Sequence, residues 1–435
     1  MMAALGILLA AVAVATACMA ICSARYRHGF RFAPRRDDHF HWNAPAARHE
    51  LAMAGQSFEL PDGIEGRGQT ALLRVTVRAA PAAACRDPHV DMHRGALRCR
   101  QYLDRGARGA RYLDATALLS HADTRRVQLR GAGLSIGSRA ELLLFEPPTL
   151  RRARLLVLAP HPDDAELSAF GLYSQHDTWL ATITAGDRLP YAEERATETR
   201  AAAALGAVPA GQCVQLAYPD GELERMAGDP RREFALSGAP GLRARVRAAN
   251  PLQEFRAVPE CRWPTLVAEL RRLVELATPD FIVAPHPLLD SHADHRSVTR
   301  ALAEALDGGG AAPLLLLTSI HVAGAPRLPA GGHDGVVSMP PGECVAGDSA
   351  YSLQLGTALQ ARKRAALLGI TAVRASAGLE AKPSRHPLMR GLDAFAGLGP
   401  WPESLLRRAC RPNELFQVAS MKTLRAMLAA ARSAP

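Results

Sequence analysis

The sequence has 435 residues, of which 48% are hydrophobic and 22% charged, so it has enough apolar material for two or three domains with packed cores. These proportions exclude an intrinsically disordered chain. The formal net charge is +10, but the arginines are spread along the whole chain without a nucleic-acid-binding motif, so we expect no nucleic-acid partner. The eight cysteines show no repeated short spacing typical of a disulfide framework or a zinc ribbon, which favours a reducing compartment.

The N-terminal segment predicts a membrane anchor. Residues 3–24 carry no charge, and about 22 residues at roughly 1.5 Å per residue span a bilayer core. We therefore assign residues 1–24 to a transmembrane helix and residues 25–48, which mix arginine with tyrosine and phenylalanine, to a basic juxtamembrane linker. The basic residues follow the apolar run, so the positive-inside rule predicts a single-pass protein of the bacterial inner membrane with the rest of the chain in the cytoplasm.

Export is the alternative for this segment, either by cleavage near Ala24 or as a lipoprotein through Cys18. Both routes normally use basic residues before the apolar run, and this sequence has none there.

Residues 49–148 predict a small β-rich, sandwich-like accessory domain. Segments such as ALLRVTVRA and AELLLFEP have strand length and lie between glycines and prolines. Glu146-Pro147-Pro148 forms a natural boundary, because two prolines end strand pairing. A carbohydrate-binding role and a plain spacer are equally compatible with this sequence.

Residues 149–435 predict an α/β domain. The continuous apolar runs LLVLAP (155–160), WLATITAG (179–186) and FIVAPH (281–286) are typical of strands buried on both faces. Helical patterns such as EERATETRAAAALGA and PTLVAELRRLVELA lie between them. This alternation favours a doubly wound, mostly parallel, Rossmann-like sheet.

Two of these runs end in acids and histidines. His161, Asp163 and Asp164 follow the first run, and His292, Asp294 and His295, preceded by Asp290, follow the third. Ligands bind at the carboxyl ends of parallel strands, and two imidazoles with a carboxylate form a common three-ligand set for zinc. Helix capping is the structural alternative for the acid pair, but it accounts for one acid and for neither histidine motif.

The ordered motifs resemble the PIG-L and LmbE-like family of zinc-dependent N-acetylglucosaminyl deacetylases, from about residue 152 to the C-terminus. The matching segments are Pro160-His161-Pro162-Asp163-Asp164, Thr184-Ala185-Gly186-Asp187, Arg195-Ala196-Thr197-Glu198, Tyr218-Pro219-Asp220-Gly221 and His292-Ala293-Asp294-His295. The sequence departs from the family pattern at Pro160, at Ala165 and at the glycine pair, of which only Gly171 is present. None of these departures removes a metal ligand of the family.

The resemblance implies a role for each matching residue. His161, Asp164 and His295 would hold Zn²⁺, or another divalent ion such as Fe²⁺, and Asp163 would act as general base. His292 would stabilise the oxyanion and protonate the leaving amine, unless it only positions a neighbour.

The other matching residues would support this centre or contact the sugar. Asp294 and Asp290 would fix the tautomer of His295 or His292. Arg195 and Asp220 would contact the sugar; a solvated helix face and a turn are their structural alternatives.

The sequence thus predicts a metal-dependent N-deacetylase acting on an N-acetylglucosamine-type sugar of a lipid-linked or nucleotide-linked glycan, in envelope glycolipid or lipopolysaccharide biosynthesis. An N-acetylated glycolipid and the membrane are the expected partners, because an anchor concentrates the site near an amphiphilic substrate. Two alternatives remain: an amidase acting on a small sugar conjugate, and a membrane-tethered glycan-binding protein without catalysis.

Overall fold

The computed structural model describes residues 30–433 except 31, 44–46, 81–86, 190, 238–239, 308–311, 326, 346 and 377–403, together with scattered positions between 6 and 20. Most of the predicted anchor, residues 1–24, and part of the predicted linker lie outside the described residues. Among the helices that are described, none is both long and apolar enough to cross a bilayer.

The N-terminal region is rich in β-strands, as predicted. Its strands are β1 (His39–His41), β2 (Ala47–Ala52), β3 (Ser57–Glu59), β4 (Thr70–Ala79), β5 (His89–Arg94), β6 (Leu97–Tyr102), β7 (Arg108–Asp114), β8 (Arg126–Ala132) and β9 (Leu134–Phe145). The strands β2 to β9 form two four-stranded antiparallel sheets, ordered β2-β9-β4-β7 and β3-β8-β5-β6. Alternate side chains such as Val90 and Met92 enter one core shared by both sheets.

The C-terminal region is built on a seven-stranded sheet, ordered β12-β11-β10-β13-β14-β17-β16. The strands of this region are β10 (Arg154–Ala159), β11 (Asp177–Thr184), β12 (Cys213–Tyr218), β13 (Phe281–Pro285), β14 (Leu314–Thr318), β15 (Glu343–Val345), β16 (Ser349–Gln354) and β17 (Asn413–Ala419). The first five strands in the sheet are parallel, and β15 pairs with β1 outside it.

The sheet is mixed: it is mostly parallel, as expected, but it contains one strand of the opposite direction. β17 runs antiparallel to both β14 and β16. Its sequence, NELFQVA, is largely buried but contains polar residues, so it lacks the continuous apolar run that marks β10 as a strand. Antiparallel strands near the edge of such sheets are common because edge strands are not constrained by crossover helices.

Helices cover both faces of this sheet. They are α1 (Asp164–Tyr173), α2 (Ala192–Leu205), α3 (Leu223–Gly228), α4 (Leu242–Ala248), α5 (Trp263–Ala277), α6 (Ala293–Ala305), α7 (Thr357–Leu368), α8 (Thr371–Ser376), α9 (Leu405–Ala409) and α10 (Met421–Ser433). One core contains side chains of α5, α6 and α10, and a second contains side chains of α1, α2 and α7. The sheet therefore lies between two layers of helices, as in doubly wound folds.

The strand order creates a switch point beside β10. From β10 the chain continues outward through β11 to β12, and it returns to β13 on the opposite side of β10. The loops after β10 and β13 diverge to opposite faces, which opens a crevice at the carboxyl ends of these two strands. The two histidine motifs lie at this crevice.

The β-rich region contacts the C-terminal strands directly. The backbone N–H of Ser352 donates to Oγ1 of Thr70 over 2.8 Å, and the amide of Asn413 donates to the buried carboxylate of Asp114 over 2.9 Å. A hydroxyl on the loop between β14 and β15, that of Ser338, donates to the carbonyl of Tyr112 over 2.8 Å. Polar groups of the two regions thus form hydrogen bonds with each other where they are shielded from water.

Candidate metal centre

Three side chains from the two histidine motifs converge on one point. Oδ2 of Asp164 lies 3.0 Å from Nδ1 of His161 and 3.1 Å from Nε2 of His295, and the two ring nitrogens are 3.2 Å apart. Ligand atoms at zinc distances of about 2.0–2.2 Å in a tetrahedral site lie about 3.3–3.5 Å from one another. The triangle of donor atoms therefore has nearly the size that zinc requires.

The outer ring nitrogens of both histidines face carboxylates. Nδ1 of His295 lies 3.0 Å from Asp290, and Nε2 of His161 lies 3.3 Å from both Asp294 and Asp220. A neutral imidazole has one N–H and one lone pair, so each outer nitrogen donates its hydrogen to an acid and each inner nitrogen presents a lone pair. In this neutral form, two lone pairs and a carboxylate oxygen face one point, which fits a cation.

The electrostatics of the crevice also favour positive charge. Burial lowers the pKa of His295, but Asp164 and Asp290 outweigh it and raise that pKa to about 9. Burial likewise opposes protonation of His161, yet hydrogen bonds to its three acids raise its pKa well above the usual value. The acids that would hold these imidazoles against a metal ion thus attract a proton when no ion is bound.

The backbone geometry of the turn after β10 positions the side chains of His161 and Asp164. The turn after β10 is closed by hydrogen bonds from the backbone N–H groups of Asp163 and Asp164 to the carbonyl of His161, over 2.8 and 3.3 Å. Asp164 then begins α1, while His295 lies in the first turn of α6. The chain thus presents Asp164 and His295 from two helix beginnings at the same edge of the sheet.

Asp163 lies beside these ligands and is buried. Its carboxylate is 3.8 Å from Nη2 of Arg195, and Arg195 also donates to the carbonyl of Gly186 over 2.9 Å. Burial raises the pKa of Asp163, with a further increase from Asp164, while Arg195 lowers it. This environment suits a carboxylate that accepts a proton during a reaction. Arg195 is only 4% exposed, so it does not lie on a solvated helix face.

His292 is half-buried and borders the same crevice. Its ring centroid is 4.6 Å from that of His161, and its Nδ1 accepts the backbone N–H of Asp294 over 3.3 Å as the N-cap of α6. Burial and the charge of His161 lower the pKa of His292, so the ring is neutral and its remaining nitrogen, Nε2, carries the hydrogen. That N–H is available as a hydrogen-bond donor.

Asp294 and Asp220 lie on the outer side of His161. Asp294 accepts the backbone N–H groups of Gly221 over 2.6 Å and Leu223 over 3.1 Å, which ties the Pro-Asp-Gly turn to α6. The carboxylate of Asp294 also lies 3.3 Å from Nε2 of His161, whereas only the backbone N–H of Asp294 bonds to His292 of its own motif. Asp220, predicted to contact a sugar, is placed against a ligand histidine, and its backbone N–H donates to Asp187 over 2.8 Å.

His321 is the residue of this centre that the sequence motifs missed. It follows β14, its ring centroid lies 5.1 Å from that of His295, and it offers a nitrogen within 4.8 Å of donor atoms of Asp164 and His295. Burial lowers the pKa of His321 to about 4, so the ring is neutral. Its position after a parallel strand was the available signal, but no motif surrounds it.

The crevice at the switch point thus contains acids and imidazoles that could hold a metal ion. Residues 156–306 match the family model described as GlcNAc-PI de-N-acetylase, PIG-L. This match confirms the family resemblance of the motifs: residues 156–306 form a PIG-L domain, and acids and histidines of its crevice could hold a metal ion.

Solved structures show more distant similarity. The A40926 pseudoaglycone deacetylase Dbv21 has 15% identity and a TM-score of 0.34, over 62% of this chain and 98% of that chain. The zinc-inhibited form of teicoplanin deacetylase Orf2 has 16% identity and a TM-score of 0.35, over 61% and 97%. GalB, the 4-carboxy-2-hydroxymuconate hydratase of Pseudomonas putida KT2440, has 15% identity and a TM-score of 0.33, over 61% and 96%. No curated protein matches the chain.

Proposed function

We propose that this protein removes the acetyl group from an N-acetylglucosamine-type sugar on a lipid-linked or nucleotide-linked glycan. The observation that carries the proposal is the convergence of one oxygen of Asp164 and one ring nitrogen each of His161 and His295, with the buried carboxylate of Asp163 beside them. The description of the matching family, which names a de-N-acetylase of a GlcNAc lipid, supports the same chemistry.

His161, Asp164 and His295 would hold the zinc ion, and Asp290 and Asp294 would keep the two imidazoles in the ligand tautomer. When bound there, zinc supplies a Lewis acid for the attacking water and for the acetamide carbonyl.

Asp163 acts as the general base in this proposal. Its carboxylate takes a proton from water as the water oxygen attacks the acetamide carbon, and its burial makes it a better base than an exposed aspartate. Arg195 fixes the orientation of that carboxylate from the side of α2.

His292 acts on the carbonyl oxygen and the leaving nitrogen. Its Nε2–H donates a hydrogen bond to the oxygen as negative charge develops there. When the C–N bond breaks, the amine takes up the proton that Asp163 removed from the water, and acetate and the free amino sugar leave. Asp220 would contact the sugar from the turn that follows β12.

Two features support an amphiphilic substrate. Leu189 and Tyr191, on the loop that leads from β11 to α2, are 49% and 64% exposed although both are large and apolar. This loop lies between Asp187, which accepts the backbone N–H of Asp220, and Arg195, which is 3.8 Å from the carboxylate of Asp163. The uncharged run at residues 3–24 and the basic residues after it support attachment to the bacterial inner membrane with the domain in the cytoplasm.

The test is acetate release from N-acetylglucosamine glycolipids by the zinc-loaded protein. Asp163→Asn should lower kcat by about 10²–10⁴ while zinc still binds, because only the base is removed. Asp348→Asn is the matched control, since Asp348 caps α10 through Ser420 and lies outside the crevice. Full activity of Asp163→Asn would contradict the assigned role, and no acetate release from any N-acetylated glycan would favour a binding protein.

A further inference from the structure

A buried ion pair lies beneath the helix that carries Asp164. Nζ of Lys363 is 2.7 Å from Oε1 of Glu414, and both side chains are 2% exposed. Lys363 comes from α7 and Glu414 from β17, so the pair joins two elements that are distant from the metal ligands in sequence. Neither residue has a role in the chemistry proposed above.

The pair occupies a break in α1. Ala169 has φ −142° and ψ 16°, which are not helical values. In a regular helix the carbonyl of Leu167 accepts the N–H of Gly171. Here Lys363 donates to that carbonyl over 3.2 Å, and Glu414 accepts the N–H groups of Gly171 and Leu172 over 2.8 and 3.0 Å. The two side chains replace the backbone hydrogen bonds that the break removes.

Gly171 is required for this arrangement. A Cβ at Gly171 would lie 3.0 Å from Oε2 of Glu414 and would also meet the side chain of Leu355. The one glycine that remains from the family's glycine pair thus allows the carboxylate to approach the backbone of α1.

The break separates the first turn of α1 from the rest of the helix. Within that turn, the N–H of Leu167 donates to the carbonyl of Asp163 over 3.0 Å, and Oγ of Ser168 donates to the carbonyl of Asp164 over 2.7 Å. Lys363 bonds to the carbonyl of Leu167, and the N–H of Leu167 bonds to Asp163. The ion pair is therefore connected to the acid pair, Asp163 and Asp164, through a single residue.

We propose that Lys363 and Glu414 are positioning residues, which hold the first turn of α1 so that Asp164 aims one oxygen at both ligand histidines. This inference rests on the metal centre of the proposed function. A buried pair that is fixed by three further hydrogen bonds is suited to this task, because it restrains the turn from below without competing for the ion.

The test is the zinc affinity of the full chain, measured by competition with a chromophoric chelator. Glu414→Gln should weaken zinc binding about 10-fold to 100-fold, as is typical when a partner that orients a ligand is lost. The visible absorption bands of the cobalt-substituted protein should also shift, since ligand geometry changes. Glu65→Gln is the matched control: it removes the carboxylate partner of the buried Arg94 in the β-rich region and should leave zinc affinity unchanged.

Lys363→Met provides a second variant if Glu414→Gln does not fold, because it leaves both acceptors of the α1 N–H groups in place; it should also weaken zinc binding. Wild-type zinc affinity and wild-type cobalt bands in a folded variant of either residue would overturn the inference. A wild-type protein that binds zinc but releases no acetate would refute the proposed function and leave this inference standing.

Discussion

Substitution of Asp290 by asparagine tests the tautomer that the metal centre requires. Asp290 accepts Nδ1–H of His295 over 3.0 Å and, through the same oxygen, the backbone N–H groups of Ile320 and His321 over 3.1 and 3.3 Å. Its other oxygen accepts the backbone N–H of His292 over 3.0 Å. Asparagine keeps the shape but loses the charge and one acceptor.

The size of the effect follows from these contacts. A hydrogen bond to a charged group contributes about 1.5–3 kcal/mol and a neutral one about 0.5–1.5 kcal/mol, so the weakened bond to His295 alone costs about 1.4 kcal/mol, or tenfold in zinc affinity. If the amide nitrogen turns towards His295, the ring adopts the opposite tautomer, Nε2 carries the hydrogen, and the loss reaches about 100-fold.

Isothermal titration of zinc into the metal-free protein measures this change. Asp348→Asn, which also removes a carboxylate that accepts a backbone N–H, controls for loss of stability without contact to the crevice. An Asp290→Asn protein that is less stable but binds zinc as wild type does would refute the tautomer argument.

Three further predictions concern metal, acid and substrate. Zinc at 100 times its Kd should stabilise the protein by about 2.7 kcal/mol in calorimetry, and His295→Ala should abolish the shift. Burial lowers the pKa of His286 from 6.5 to about 4, so neutral His286 contributes stability above pH 6.5 that is lost as the pH falls towards 4, by up to about 3 kcal/mol. His286→Asn keeps an acceptor for the N–H groups of Leu288 and Leu289, and its urea midpoint should fall less over this range; an identical fall would contradict the assignment. Tyr191→Ser should raise KM for a long-chain N-acetylglucosamine lipid but not for a short-chain one, and an equal change for both would argue against an apolar contact.

The parts of the fold that local pattern determines were predicted from the sequence. β10, β11 and β13 were recognised because a strand buried on both faces needs a continuous apolar run. The β-rich region was recognised from short alternating segments between turn residues. The convergence of the two histidine motifs followed from the same logic, because carboxyl ends of parallel strands share an edge.

Features that depend on contacts between distant segments could not be predicted from the sequence. The antiparallel direction of β17 is a property of its pairing with β14 and β16, and strand direction leaves no periodic pattern in the sequence. The contact of Asp294 with His161 depends on the angle between α6 and the turn after β12. The pairing of Lys363 with Glu414 is tertiary, since it joins a helix to a strand across the backbone of α1.

The contacts of Asn413 have a consequence for how such a protein changes over evolutionary time. Its amide bridges Asp114 of the β-rich region, the carbonyl of Val337 and the hydroxyl of Ser352, all close to where β17 begins. A gene rearrangement that exchanged the N-terminal half for an unrelated module would leave these groups facing an apolar or mismatched surface. The two halves are therefore expected to be inherited together, as one recombination unit, even though only the second carries the ligands.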